Sequence, residues 1–343
     1  MQVALRHGGV KLQQAIMNTE ELQAQIEETS SWIGGVKAEM AKVLVGQENL
    51  VDRLLVGLLC NGHILLEGVP GLAKTLAVKA LSGSLSASFA RFQFTPDLLP
   101  ADLVGTMIYH PHEGNFEPKL GPIFNNLILA DEINRAPAKV QSALLEAMQE
   151  KQVTLGDRSY PLPTPFLVLA TQNPIDQEGT YQLPEAQLDR FLLKVNVGYP
   201  SKDEELQILN AMATSAPVYE TQNVATPEQV QASRELVNEV YIDEAIRKYI
   251  VELIYATRFP MNIDAPLKNW IRAGASPRGT INLALAARAR AFMNGRAFVT
   301  PQDVKDMAVD VLRHRILLTY EAEAEEVTTD IIVERILAKV VVP

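Results

Sequence analysis

His63-Ile64-Leu65-Leu66-Glu67-Gly68-Val69-Pro70-Gly71-Leu72-Ala73-Lys74-Thr75 carries an apolar strand pattern into a glycine-punctuated turn that closes on Lys-Thr. A backbone with that order can wrap a nucleotide triphosphate. N–H groups of the turn and of the following helix's first turn point at phosphate oxygens. The Lys74 ammonium reaches the β- and γ-phosphates, and the Thr75 hydroxyl coordinates Mg²⁺. Gly68 to Leu76, including Pro70, Gly71, Leu72 and Ala73, is therefore the candidate phosphate cradle. Ala73 stands where the pattern G-x-x-x-x-G-K-[ST] has its last glycine. An alanine fits there only if the backbone keeps φ negative, and that is the expectation.

A second stretch, Leu127-Ile128-Leu129-Ala130-Asp131-Glu132, is an apolar run ending in two acids. It reads as a buried parallel strand that delivers carboxylates to a sheet edge. Asp131 can hold Mg²⁺ through its water shell, and Glu132 can orient and deprotonate an attacking water. Alone, an Asp-Glu pair is equally a solvated turn. With a phosphate loop about 55 residues upstream, the two segments together read as a nucleotide hydrolase core.

Composition sets the remaining bounds. A chain of 343 residues, 47% hydrophobic and 21% charged, can bury two cores. Its formal net charge of −10 argues against a protein built mainly to grip nucleic-acid backbone. The single cysteine, Cys60, sits in an apolar helical run and suits core packing in a reducing cytoplasm. No apolar run is long enough to span a bilayer, and the N-terminus lacks a signal-peptide pattern. The acidic stretch Glu321 to Glu326 reads as a solvated face or loop.

Glu20 to Val45 has helical periodicity, a turn follows at Val45-Gly46-Gln47, and a second helix runs through Cys60. Strands at 63–67, 89–94, 127–131, 166–171 and 192–197 then alternate with helices at 74–85 and 138–149. That alternation predicts a parallel sheet covered on both faces. Leu103 to Pro122 interrupts the expected crossover between the second and third strands. Gln152 to Pro163 reads as a β-hairpin about Gly156-Asp157. From Ser201 the pattern is helical, with Thr226-Pro227, Ser276-Pro277 and Thr300-Pro301 each predicted as an N-cap followed by proline.

The strand ending at Thr171 continues into Gln172-Asn173-Pro174. Asn173 could hold the lytic water or contact the γ-phosphate; an Asn before Pro also caps turns. Further on, Leu183-Pro184-Glu185-Ala186-Gln187-Leu188-Asp189-Arg190-Phe191 is a short helix entering the last strand. This segment, Glu178-Gly179-Thr180-Tyr181, Gly68 to Thr75 and Asp131-Glu132-Ile133-Asn134-Arg135-Ala136 together resemble the MoxR family of AAA+ ATPases, from about Ala41 to the C-terminus. In that family an alanine before the lysine is the normal form.

The resemblance implies an α/β AAA+ parallel αβα P-loop sheet with a C-terminal helical lid. Residues 1–44 would form an N-terminal helical segment, 45–200 the nucleotide-binding domain with a helix-2 insert and a pre-sensor-1 hairpin, and 201–343 the lid. Asn173 would be sensor 1, Arg190 the arginine finger reaching a neighbouring subunit's site, and Arg278 the sensor-2 arginine of the lid. Val45, Gly46 and Gln47 would pack by the adenine. ATP and Mg²⁺ are the implied ligands, and a hexameric ring the implied assembly. Lid motion would bring Lys74, Asn173 and Arg278 together. Chaperone-like action on a client, with a von Willebrand factor A domain protein as partner, is implied too.

Two other readings share the ATPase residues. A nucleic-acid motor would need a basic hairpin, whereas Lys151 and Arg158 are offset by Glu150 and Asp157. A magnesium-chelatase-like ATPase subunit would differ chiefly in its partner. A scaffold without turnover would dispense with Glu132 or Arg190, and both are present.

Overall fold

The computed structural model describes residues 20–69, 72–172, 181, 183–213 and 220–343. A helix over 20–29 (α1) is followed by α2 (Ser31–Ala41) and α3 (Glu48–Leu59). The single helix expected for 20–45 is broken at Ser30. Thr29, Ser30 and Ser31 are residues whose hydroxyls compete for backbone hydrogen bonds, and the Ser30 hydroxyl turns back to Glu27 O.

Next come β1 (Ile64–Glu67), α4 (Lys74–Ser84), β2 (Phe89–Gln93), α5 (Pro100–Val104), β3 (Gly105–His110), β4 (Asn115–Leu120) and β5 (Leu127–Asp131). They are followed by α6 (Ala138–Glu150), β6 (Gln152–Leu155), β7 (Arg158–Pro161), β8 (Leu167–Gln172), α7 (Glu185–Leu188) and β9 (Leu193–Asn196). Five of these strands form one sheet in the order β2-β5-β8-β1-β9, every pairing parallel. Strands buried on both faces must be apolar throughout, which is why Ile64 to Leu66, Leu127 to Ala130 and Leu167 to Ala170 read as unbroken runs. Their side chains alternate between two cores. Leu65, Ile128, Ala130, Val168 and Ala170 face α6 and the β6–β7 hairpin. Ile64, Leu66, Leu129 and Leu169 face the other way, toward α3.

Both insertions are antiparallel hairpins. Residues 103–122 hold the end of α5 followed by β3 paired with β4, and 152–161 pair about Gly156, whose φ of 64° suits the tight turn. Register aligns the strands' C-terminal ends, with Gln93 opposite Asp131 and Glu67 opposite Gln172. That edge is where an open α/β sheet holds its ligand.

The rest is helical: α8 (Lys202–Met212), α9 (Pro227–Glu239), α10 (Glu244–Arg258), α11 (Leu267–Trp270), α12 (Pro277–Met293), α13 (Pro301–Leu312), α14 (Tyr320–Ala324) and α15 (Thr329–Lys339). One small antiparallel pair, β10 (Ile271–Ala273) with β11 (Leu317–Leu318), interrupts it. The three predicted caps form: Thr226, Ser276 and Thr300 accept from the N–H groups of Gln229, Arg278 and Asp303. The α3-facing core runs on without a break into these helices through Leu253, Leu283, Met307 and Ile336. Arg53 pairs with Asp310 at 2.5 Å and Arg290 with Asp52 at 2.7 Å across the same seam. Cys60 lies in this packing, and burial pushes its thiol up to about 12, so it stays protonated.

Two buried histidines are held neutral. His63 accepts from Val168 N–H through Nδ1 at 3.0 Å, which puts its proton on Nε2 toward Met148 O at 3.1 Å. His314 Nε2 faces Phe191 O at 3.2 Å. Burial, then the neighbouring Lys151 ammonium, pushes His63 well below its usual 6.5; burial and the Arg315 guanidinium do the same to His314. The unfolded chain therefore takes up these protons first. Their contribution to stability is whole above pH 6.5 and is lost as the pH falls below it. In NMR titration both Cε1–H resonances are expected to keep neutral-imidazole shifts at about pH 6. Midpoints near 6.5 would show that the rings are solvated instead.

Candidate active site

β1 ends at Glu67 and α4 begins at Lys74, so Lys74 and Thr75 open a helix at the sheet's ligand edge. A cavity of about 410 Å³ lies there. Its walls carry Gly68, Lys74 and Thr75 on one side and Asp131, Glu132 and Thr171 on the other. Lys74 donates to Gly68 O, and burial lowers its ammonium against the opposing pull of Asp131, Glu67 and Glu132. Asp131 accepts from the Thr171 hydroxyl at 2.7 Å and from Arg91 at 2.7 Å. Glu132 N–H donates to the Thr171 oxygen at 2.8 Å, so one hydroxyl fixes both acidic residues. The Glu132 carboxylate accepts from Arg135 at 2.9 Å and Gln93 at 3.2 Å.

The backbone is left-handed at two non-glycine residues on this wall, Ala73 at φ 55° and Glu132 at φ 56°. The expected negative φ at Ala73 is therefore not what forms. Ala73 takes the glycine-like conformation as the N-cap of α4, where its Cβ bears a cost of about 1–2 kcal/mol. Strain of this kind persists where surrounding structure over-determines it, typically at a functional site. Pro70, Gly71 and Asn173 lie outside the described residues; Gln172, the last residue of β8, lines the cavity.

A second cavity of about 470 Å³ adjoins the first through Leu72, Ala73, Thr75 and Leu76. Val45 and Gln47 wall it with Ile208 and Met212 of α8, an apolar slot beside the Lys74 cavity whose lining could take a flat base. Gly46, at φ 71°, turns the chain against Glu204 in the first turn of α8, where a Cβ would lie 2.3 Å from that side chain.

Arg190 and Arg278 lie elsewhere. Both line a cleft of about 360 Å³ with Lys151 and Gly62, and this cleft shares no lining residue with the Lys74 cavity. Arg190 is exposed in the turn between α7 and β9. In this structure Arg278 lies apart from Lys74; the convergence expected on lid closure is a separate arrangement. The Ser276 hydroxyl donates to Asp189 at 2.9 Å and accepts from Arg278 N–H, and the Arg278 guanidinium sits 3.8 Å from Asp189. The start of α12 is thereby tied to the residue preceding Arg190.

The site also holds residues that the motifs do not name. Arg91 and Gln93 alternate on the edge strand β2 and face the acids; their spacing of two on a strand was the available signal. Arg135 and Thr171 lie within or beside quoted motifs; Arg135 meets Glu132 three residues away, while the contacts of Thr171 with Asp131 and Glu132 come only from strand pairing.

A family model described as "ATPase family associated with various cellular activities (AAA)" matches residues 63–193, and one described as "AAA lid domain" matches 268–336. Chaperone MoxR1 of Mycobacterium tuberculosis is 49% identical over 306 residues, covering 89% of this chain and 81% of its own. The chain belongs to the MoxR family of AAA+ ATPases. Protein MoxR of Paracoccus denitrificans is 33% identical over 308 residues, 84% of this chain and 90% of its own. A crystal structure from Cytophaga hutchinsonii ATCC 33406, of a protein proposed to be an ATPase, superposes with a TM-score of 0.87 at 52% identity. It covers 96% of this chain and 99% of the other. The α/β AAA+ domain with a helical lid is thus the family fold, and a chaperone-like ATPase the family function that this chain shares. Among the described residues no helix is long and apolar enough to cross a membrane.

Proposed function

We propose that this MoxR-family protein hydrolyses ATP in sites shared between subunits of a ring, most simply a hexamer, and uses the cycle to remodel a partner protein in the cytoplasm. The observation that carries the shared site is the separation of cations. Lys74 is with the acids, while Arg190 and Arg278 open on a different cleft of the same copy. A guanidinium on that cleft serves catalysis by entering a neighbour's Lys74 cavity, so both arginines act in trans in this reading.

The roles follow from chemistry. Lys74 holds the β- and γ-phosphates, Asn173 senses the γ-phosphate, and the apolar slot beside Val45 takes the adenine. The Thr75 hydroxyl and Asp131 carboxylate are hard oxygen donors, the kind Mg²⁺ takes while keeping waters and phosphate oxygens. When bound, that ion neutralises charge on the phosphate oxygens. Glu132 accepts a proton from a water whose oxygen bonds to the γ-phosphorus as the bond to the β–γ bridging oxygen breaks, giving ADP and phosphate. A client protein or a von Willebrand factor A domain partner, inherited from the family, would dock on the hairpins or lid. The nucleic-acid alternative loses further ground because Lys151 packs beside His63 at 2.8 Å instead of projecting from the hairpin.

The reading is tested by phosphate release per chain across a dilution series, with mass measured in parallel. Specific activity is expected to rise at least about tenfold as rings assemble. A constant specific activity down to single copies would overturn the shared site.

A further inference from the structure

Resting on that reading, we infer that Arg315, through Asp189, is a positioning residue that sets the aim of Arg190. The Arg315 side chain is 1% exposed, and all but one of its guanidinium hydrogen bonds go to the few residues around the finger. Nε donates to Asp189 Oδ1 at 2.8 Å. The two terminal nitrogens reach Asp189 O at 3.2 Å, Phe191 O at 2.5 Å, Leu192 O at 3.3 Å and Val311 O. The carbonyls on both sides of Arg190 are thus held by one planar fork. Asp189 is held a second time by the Ser276 hydroxyl. Two neighbours repeat the pattern, since His314 faces Phe191 O and Arg313 donates to Lys194 O at 3.1 Å.

Burying a guanidinium is expensive, and such a group adds little net stability over an apolar replacement. Its use lies in geometry. Arg190 itself is exposed, and among the described residues no acid pairs with it. Among the described residues none orients its tip in an isolated copy, so its direction is inherited from the backbone at its root. A misplacement of about 1 Å in a reacting group can lose about 10²-fold in rate. Because Arg315 follows α13 and Ser276 caps α12, the lid and the finger's root move as one body. The orientation of one subunit's lid thereby decides how its finger enters the next subunit's site.

Asp189→Asn keeps the side chain's size and removes the charge that Arg315 and Arg278 share. Arg315→Lys keeps a charge and loses the fork. In assembled rings Asp189→Asn is expected to lower kcat by about 10- to 10²-fold, with fluorescent-nucleotide affinity and ring mass unchanged. Asp189→Glu should recover part of the loss. In an Arg190→Ala/Arg278→Ala background the same substitution should change kcat less than twofold, because it acts only through those two groups. A kcat within twofold of the parent, or a further fall in the double-alanine background, overturns the assignment. Arg190→Ala alone separates the two ideas, since an unchanged kcat there defeats the finger itself whatever Asp189 does. Should Arg315→Lys fail to fold, the Asp189 series still decides.

Discussion

Glu132→Gln is expected to leave nucleotide binding intact and to lower phosphate release by about 10²–10⁴-fold, the usual worth of a positioned general base. The substitution is nearly isosteric, and what holds the residue in place is mostly backbone. Glu132 N–H donates to the Thr171 oxygen, and the left-handed turn at φ 56° is fixed by the strand before it and the 3-10 turn Ile133–Arg135 after it. Asp131 keeps its own bonds to Thr171 and Arg91, so the carboxylate assigned to Mg²⁺ is untouched. The capacity to take a proton from water disappears, and the ion pair with Arg135 is reduced to a neutral hydrogen bond. Binding of a fluorescent ATP analogue and release of inorganic phosphate measure the two halves separately. Phosphate release at the parent rate would show that water activation belongs to some other group. If the proposed function holds, a variant that binds and does not release would also capture a client, since its rings would stay in the ATP state.

How far the sequence carried depended on whether a feature is local. Leu127 to Ala130 and Leu167 to Ala170 announce buried parallel strands because such strands have no solvent face to mark with polar residues. The Pro-marked caps at Thr226, Ser276 and Thr300 are settled within four residues, so they were legible as well. Lys74, Thr75, Asp131 and Glu132 come together because β1, which leads into α4, and β5 end at one edge of the sheet. The left-handed backbone at Ala73 could not be read, since it is imposed by how β1 and α4 meet. Nor could the company of Arg278. A Ser-Pro-Arg-Gly run gives a helix start, but which half of the molecule that start leans on is fixed by Asp189, 87 positions away. Arg91 was hidden by ordinariness, as a charged residue on an edge strand whose partner lies across the sheet at Asp131.

Arg190→Ala is expected to lower ATP turnover in assembled rings by about 10³–10⁵-fold, the worth of an arginine finger in related phosphoryl transfer. The site's own cavity keeps Lys74, Thr75, Asp131 and Glu132, so nucleotide affinity should change little. Loss of rate alone does not distinguish a finger acting in trans from one acting in cis; mixing does. A ring assembled from Arg190→Ala and Glu132→Gln subunits contains interfaces at which the first supplies an intact base and the second an intact guanidinium. With equal amounts and random placement, about one interface in four is complete. Activity should therefore return in mixtures of two nearly inactive proteins, be greatest near equal proportions, and vanish at either end. If both residues served the same copy's site, no interface would ever be complete. Mixed rings of confirmed composition that stay inactive at every ratio would place Arg190 outside its neighbour's chemistry. The separation of its cleft from the Lys74 cavity would then need another explanation.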